Sequence, residues 1–414
     1  MPVELDKMPL QLPEPSAPRL WLWLVLLAAL LLLGLGLMLW RESGASTDQP
    51  QQPLWIALGL PTVIWAVLCF MRTLMYLGEW SLADGWNDAR EADLCQKMSR
   101  GRRSQQVLAV SLHTALREPG ARSGDAQRDA LHNATKAVRT QPAWLVSEEG
   151  IRHSRLVVEP GDTPNTLLRR VLRQVLGDMA KALIKLPKDT PLALLLEMHS
   201  SVPAEDLEKL WQETWSESGI VQTVQRIEGA GLTTVDGWLD QRIHERTLLL
   251  VVAFQVAPEE TENTAEAVVG LLFGNRLTQT TLEPLAYLHR PEQVRSPTAD
   301  GLLYATRQAL DWVPITPASI RHVWLAGIDA KRASAITTTV SEVAMPVSAS
   351  QGLRDLDSFL GNPGCAAPWI AIAVAVDSIR DEAKPHFIFS GDNVSEAGPW
   401  CSTVMPPVLN QEVS

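Results

Sequence analysis

The chain has 414 residues, 46% of them hydrophobic, with 36 Lys and Arg against 47 Asp and Glu and a formal charge of -11. This composition excludes a disordered or fibrous chain, and the acidic balance excludes a general nucleic-acid binder, which needs a clustered basic surface. The four cysteines, Cys69, Cys95, Cys365 and Cys401, show neither zinc spacing nor a disulfide framework.

A mean hydropathy close to zero conceals a partition. Residues 20–40 (LWLWLVLLAALLLLGLGLMLW) carry no charge, and at about 1.5 Å per residue they cross a hydrocarbon core of about 30 Å. A second uncharged run, Pro53 to Met71, has Pro61 in its middle. A membrane helix tolerates such a proline where neighbouring groups satisfy the freed backbone. Trp21, Trp23, Trp40, Trp55 and Trp80 stand near the ends of these runs, where interfacial aromatics belong. The intervening loop has one basic residue, Arg41, whereas Arg72, Arg90, Lys97, Arg100, Arg102 and Arg103 follow the second run. The positive-inside bias therefore predicts a hairpin with both termini in the cytoplasm and reduced thiols there. The expected organisation is a tail (1–19), a two-helix transmembrane hairpin (20–71), a basic helical connector (72–140) and a soluble region with halves 141–280 and 281–414. Within the connector, 81–118 reads as helix, and its knot Arg100–Arg103 suits either anionic lipid headgroups or a solvated face.

The soluble region alternates helix and strand. Leu167, Leu168, Val171, Leu172, Val175, Leu176, Met179 and Leu183 recur at a helical period over 163–186, ended by Pro187. A short apolar run, Leu192–Met198, has strand length. A helix follows Pro203, with Trp211 and Trp215 on its apolar face, and Val221–Ile227 reads as a strand. After a short helix near 232–243, Thr247–Val256 (TLLLVVAFQV) is too continuous for a half-exposed strand and predicts a sheet covered on both faces. Thr264–Phe273 fits helix or strand. A second pass follows: Pro284–His289 strand, Ala299–Trp312 helix, His322–Ala326 strand, Ala330–Val343 helix, and Met345–Ala349 a short strand. Gly364–Ile379 is an almost wholly apolar helix with Pro368 in its first turn. His386–Phe389 and Cys401–Met405 form a closing strand pair. The fold class is α/β in two similar halves that meet near 275–295.

This order of elements resembles the thiolase-like fold, in particular the β-ketoacyl synthase family, over roughly residues 140–407. The residues that carry the likeness are the 232–243 helix leading into Leu248–Phe254, then Thr264–Val269; Ala305–Trp312, Pro317–Ile320 and His322–Ala326; and Pro346-Val347-Ser348, Gly361-Asn362 and the helix from Gly364. Ketosynthase chemistry needs a cysteine at a buried helix N-terminus and two histidines for the oxyanion and the protons. By this resemblance the nucleophile falls near Arg226–Ala230, yet no cysteine occurs between Cys95 and Cys365. Gly327-Ile328-Asp329 stands where the family has His-Gly-Thr, and Gly361-Asn362 where it has Gly-His. The resemblance thus implies retained architecture without a catalytic set. Among membrane-anchored chains the sequence is similar to the bacterial type VI secretion lipase-adaptor family, on Leu192–Ser200, Leu249–Phe254 and Asn263–Ala267. That likeness implies a non-catalytic inner-membrane adaptor or chaperone whose protein partner is a secreted lipase effector. The alternative is a divergent membrane-associated acyltransferase using Cys365. A scaffold that homodimerises through the buried strand pair is the third expectation.

Other residues have bland readings beside sharper ones. Cys365 in GNPGCAAPW is either a dipole-activated thiol or a small buried hydrophobe, and Ala366-Ala367-Pro368-Trp369 favour the second. His199 is a base or an edge histidine with one hydrogen bond. Asp355, Asp357 and Asp392 form a cation site or a solvated loop, and Glu259, Glu260 and Glu262 an acidic surface. Trp211, Trp215 and Trp238 are core or, if exposed, protein-binding anchors. With no nucleotide-binding glycine motif and no Gly-x-Ser-x-Gly elbow, no cofactor and no metal are expected.

Overall fold

The structure, a computed structural model, describes residues 3, 5, 7–43, 54–118, 120, 124–145, 150–348, 350–391 and 398–407. In chain order the elements are α1 (Leu20–Ser43), α2 (Leu54–Gly101), β1 (Ser104–His113), α3 (Asp125–His132), β2 (Arg139–Pro142), β3 (Gly150–His153), α4 (Pro164–Leu183), β4 (Leu192–His199) and α5 (Ala204–Glu217). There follow β5 (Val224–Arg226), α6 (Gly231–Gln241), β6 (Leu248–Gln255), β7 (Ala267–Asn275), β8 (Ala286–His289), β9 (Glu292–Gln293), α7 (Ala299–Asp311) and β10 (His322–Ala326). The chain ends with α8 (Ala330–Glu342), β11 (Leu353–Asp355), α9 (Leu356–Leu360), α10 (Ala367–Asp381), β12 (His386–Ser390) and β13 (Trp400–Met405). Two compact units result, residues 4–97 and residues 98–414 joined by the first three residues.

In the smaller unit, Leu20–Trp40 and the helix from Ile56 are long and apolar enough to cross a membrane. Pro61 lacks an N–H, so the Ala57 carbonyl has no partner one turn on. Gly34 of α1 lies so close to that carbonyl that a Cβ would overlap it. The Trp65 indole donates to the Trp23 carbonyl at 2.8 Å. Lipid supplies no hydrophobic drive between helices, so a small-residue contact and an interhelical hydrogen bond are the interactions suited to joining them.

In the larger unit the two halves repeat one strand order. The sheet runs β5-β4-β6-β7-β1 in the first half and β11-β10-β12-β13-β8 in the second, which is third-second-fourth-fifth-first in each. In both halves the fifth strand is antiparallel to its neighbours and the second is parallel to the third and fourth. Strands β1 and β8 join the halves, Ser104–Val107 against Ala286–His289. Both edges of β6 and of β7 are taken within the chain, so pairing with a second copy would have to use other surfaces.

The period-2 alternation of the central strands sorts side chains into separate cores. Leu248, Leu250, Val252 and Phe254 of β6 pack with Leu168, Leu172, Val175 and Leu176 of α4, while Leu249, Val251 and Ala253 face the opposite way. In the second half Val323, Leu325, Phe387 and Phe389 share a core with Leu302, Ala309, Ile336 and Val340 of α7 and α8. Trp324 and Ile388 join the central core with α6 and α10. From Trp369 to Val376 every residue of α10 is buried. Five layers follow: α4 and α5, the first half of the sheet, α6 and α10, the second half of the same sheet, then α7 and α8.

The structure corrects two sequence expectations. The basic helical connector of 72–140 ends at Gly101, and Ser104–His113 is the first strand of the first half, so the α/β body begins well before residue 141. Its polar residues hide the strand pattern because their partners are distant: Gln106 accepts from Gln279 at 3.0 Å and Ser111 donates to Asp178 at 2.9 Å. Part of the basic knot is used internally, since Arg100 bonds Asp240 at 2.8 Å and Arg103 donates to the Leu239 carbonyl at 2.8 Å. The short strand expected at Met345–Ala349 is absent over Met345–Ser348, where Pro346 removes a donor, and Ala349 lies outside the described residues. The edge strand is β11 instead. Thr264–Phe273, open between helix and strand, supplies β7.

Gly270 of β7 faces α4, where a Cβ would overlap Val175, whereas Gly177 within α4 faces open space. Gly270→Ala should therefore destabilise the protein by about 1–3 kcal/mol through overpacking. Gly177→Ala should be neutral or stabilising by up to about 1 kcal/mol. Denaturant midpoints of the two variants check the contrast.

Candidate functional site

The C-terminal ends of β4, β6 and β10 converge on the N-termini of α6 and α10, the place where α/β folds gather their ligands. In the parallel pairing of β4 with β6, His199 lies beside Gln255. The Gln255 amide nitrogen donates to the carbonyls of Ala265 (3.0 Å) and Asn362 (2.8 Å). Its oxygen is left to accept from His199 Nδ1 at 2.7 Å. This assigns the proton to Nδ1 and leaves Nε2 of His199 as an acceptor. Gly364, at φ 58°, passes so close to the Gln255 oxygen that no side chain fits there.

The N-terminus of α6 is the position where the resemblance places a nucleophile. Glu197, near the end of β4, reaches across and accepts from the Gly231 N–H at 2.7 Å. A helix N-terminus carries partial positive charge and unsatisfied donors. Here a carboxylate holds one of those donors, as a thiolate would in ketosynthase chemistry. Cys365, beside Glu197, donates its thiol proton to the Phe254 carbonyl at 3.5 Å and makes no hydrogen bond to His199. Burial, and then the Glu197 charge, pushes its pKa up to about 12. The group that would react is a thiol held as a thiol.

The other two positions that the resemblance singles out also make structural hydrogen bonds. Gly327, at φ 66°, and Ile328 donate their amides to the two carboxylate oxygens of Asp357, at 3.0 and 3.2 Å. Asn362 accepts from Ala265 N at 2.9 Å and from Gly364 N, through its side chain, at 2.9 Å. Burial outweighs the two amides on Asp357 and, with the Asp355 charge adding to it, raises its pKa to about 7. Asp355 accepts from the Asp357 N–H at 3.1 Å. Both carboxylates are thus turned to backbone amides, and Asp392 lies outside the described residues. Glu259, Glu260 and Glu262 are exposed. Trp211 and Trp238 are core residues, and Trp238 donates to Asn275 at 2.8 Å. Trp215 packs half-buried against the α4–α5 core.

Three residues central to this arrangement were missed in the sequence. Glu197 and Gln255 close the apolar runs LALLLEMH and LLLVVAFQ, and a lone polar residue at the end of a buried strand was the available signal. Glu266, 2% exposed, accepts from the Trp144 indole (2.6 Å), Ala257 N (3.0 Å) and Leu156 N (3.2 Å), and burial raises its pKa. Elsewhere, His132, His322 and His386 cluster around Trp324, whose indole donates to His386 Nδ1 at 3.0 Å. Among the described residues no group of three metal-ligating side chains is placed to hold an ion.

The sequence matches no family profile and no curated protein. Solved structures do match. The ishigamide ketosynthase/chain length factor superposes with a TM-score of 0.52 at 11% identity, covering 73% of this chain and 99% of that one. A type II polyketide synthase ketosynthase, in complex with its acyl-carrier protein and bound to the hexaketide, gives 0.50 at 12% identity, covering 74% and 100%. At such identities the likeness concerns the fold. The chain has a ketosynthase-like, thiolase-like α/β fold.

Two measurements follow. At pH 8 a thiol of pKa about 12 is ionised roughly a thousandfold less than one at the reference value of 9.0. In the native protein, iodoacetamide should therefore label the exposed Cys95 and leave Cys365 unlabelled, as peptide mass spectrometry would show. The second concerns Asp357, which keeps its proton up to about pH 7 when folded and only to its ordinary 3.8 when unfolded. The folded state binds the extra proton in that window, so this contribution to stability is full below about pH 4 and is lost as pH rises through 7. Asp357→Asn cannot ionise. Relative to wild type, its unfolding free energy should rise between pH 4 and pH 7.

Proposed function

We propose that this protein is a membrane-anchored, non-catalytic adaptor whose ketosynthase-like domain binds another protein. Following the resemblance to the lipase-adaptor family, that partner is a lipase effector of a bacterial type VI secretion system, and the two apolar helices hold the adaptor in the inner membrane with both termini cytoplasmic. The observation that carries the non-catalytic part is the Glu197 carboxylate on the Gly231 amide, which fills the anion position that a thioester-forming cysteine would need. Cys365 supports it by sharing its proton with a carbonyl. The competing reading, a divergent acyltransferase, rests on Cys365 together with the oriented imidazole of His199.

One experiment separates the two. In the bacterium that carries this gene, deletion should abolish delivery of the cognate lipase while leaving export of the secretion tube protein unchanged. Complementation with Cys365→Ala should restore delivery in full. A Cys365→Ala strain as defective as the deletion, with the variant present at normal level, would support the enzyme. Normal lipase delivery in the deletion strain would remove the adaptor.

A further inference from the structure

The N-terminal tail carries a feature independent of that reading. Residues 8–19 form no helix or strand, and from Leu12 onward the half-buried positions are Leu12, Pro15 and Pro18, one in every three. A repeat of three is that of the polyproline II helix, and Pro9, Pro13, Pro15 and Pro18 favour it. That conformation makes no internal hydrogen bonds, so its backbone groups face outward for a partner to read.

The partner is α2. The Asn87 side chain engages Leu12 at both ends of its backbone: the Leu12 N–H donates to Oδ1 at 3.0 Å, and Nδ2 donates to the Leu12 carbonyl at 3.1 Å. The Trp86 indole N–H donates to the Leu10 carbonyl at 3.2 Å, and Arg90 Nε donates to the Pro9 carbonyl at 2.7 Å. Further along the helix, Lys97 Nζ lies 3.3 Å from the Met8 sulfur. Positions 86, 87 and 90 share one helix face, and position 97 lies two turns beyond 90 on the same stripe. The tail therefore runs antiparallel to α2. Proline-rich ligands are bound in this way, by aromatic and planar donors that read their carbonyls.

We infer that the Trp86–Arg90 face of α2 is a binding surface for an extended, proline-containing segment of the polyproline II type, occupied in cis by residues 8–12 of the same chain. The contact requires the tail and the 86–97 stretch to lie on one side of any membrane that α1 and α2 cross. The strap closes only after both helices have passed through. Recognition is by backbone, so it depends on extended conformation more than on the tail's side chains.

Hydrogen–deuterium exchange on the full chain in detergent micelles tests this. The Leu12 amide should exchange at least about tenfold more slowly than an unstructured amide, the effect of one stable hydrogen bond. Asn87→Ala should bring it to the unstructured rate while the α2 amides keep wild-type protection, which shows that the helix carrying the variant is folded. Trp86→Phe, which keeps the ring and removes the donor, should give an intermediate rate. A Leu12 amide that exchanges freely in wild type, or that stays protected in Asn87→Ala, would overturn the inference.

Discussion

Helix α10 is apolar on every face, and that fact constrains the whole α/β body. A helix with one apolar stripe can lie on a single sheet, but one buried from Trp369 to Val376 needs cover on all sides. It finds that cover between the two halves of the sheet, touching β1 and β7 of the first half and β10, β12 and β13 of the second. Each half of the sheet then has a second face to bury, which α4 and α5 cover in one and α7 and α8 in the other. The same constraint gathers the ends of β4, β6 and β10 around the start of α10, so the candidate site is a product of burying this helix.

What the chain does with that location is a matter of hydrogen-bond satisfaction. A ketosynthase-like site would leave a helix N-terminus and loop amides available for substrate charge. Here Glu197 holds the Gly231 amide, Asp357 holds those of Gly327 and Ile328, and Gln255 ties three segments together. Carboxylates built into the protein take places that a transition state would otherwise use. These hydrogen bonds hold the loops in place, and they are the ground on which the non-catalytic reading is proposed.

Much of the fold was legible because its signals were local. The 3.6 period of α4, the unbroken apolar run of β6 and the proline-started α10 each state their environment within a dozen residues or so. Strand β1 was not legible: its Gln105, Gln106, Ser111 and His113 are all buried, Gln106 against Gln279 and Ser111 against Asp178 far away in the chain, and no local pattern records that. Met345–Ala349 likewise read as a strand in spite of Pro346, and no local signal indicated the edge strand at Leu353–Asp355. At the site, the sequence has no cysteine near Arg226–Ala230 and no histidine at Gly327-Ile328-Asp329 or Gly361-Asn362, where the resemblance places the reacting groups. The replacements were not legible, because Glu197 matters only once folding brings β4 to the first turn of α6.

The smaller unit, whose two helices are long and apolar enough to cross a membrane, obeys a different economy. There Gly34, Pro61 and Trp65 hold two helices through a close backbone approach and one indole hydrogen bond, interactions that would serve in lipid, where hydrophobic burial gives no drive between helices. The central claim is the proposal that the α/β body, which has a ketosynthase-like fold, carries no thiol chemistry at Cys365. Intact-mass spectrometry of the full chain after incubation with a long-chain acyl thioester at neutral pH tests that claim most directly. The account predicts an unmodified mass at all times. A stoichiometric acyl adduct that maps to Cys365 would contradict it.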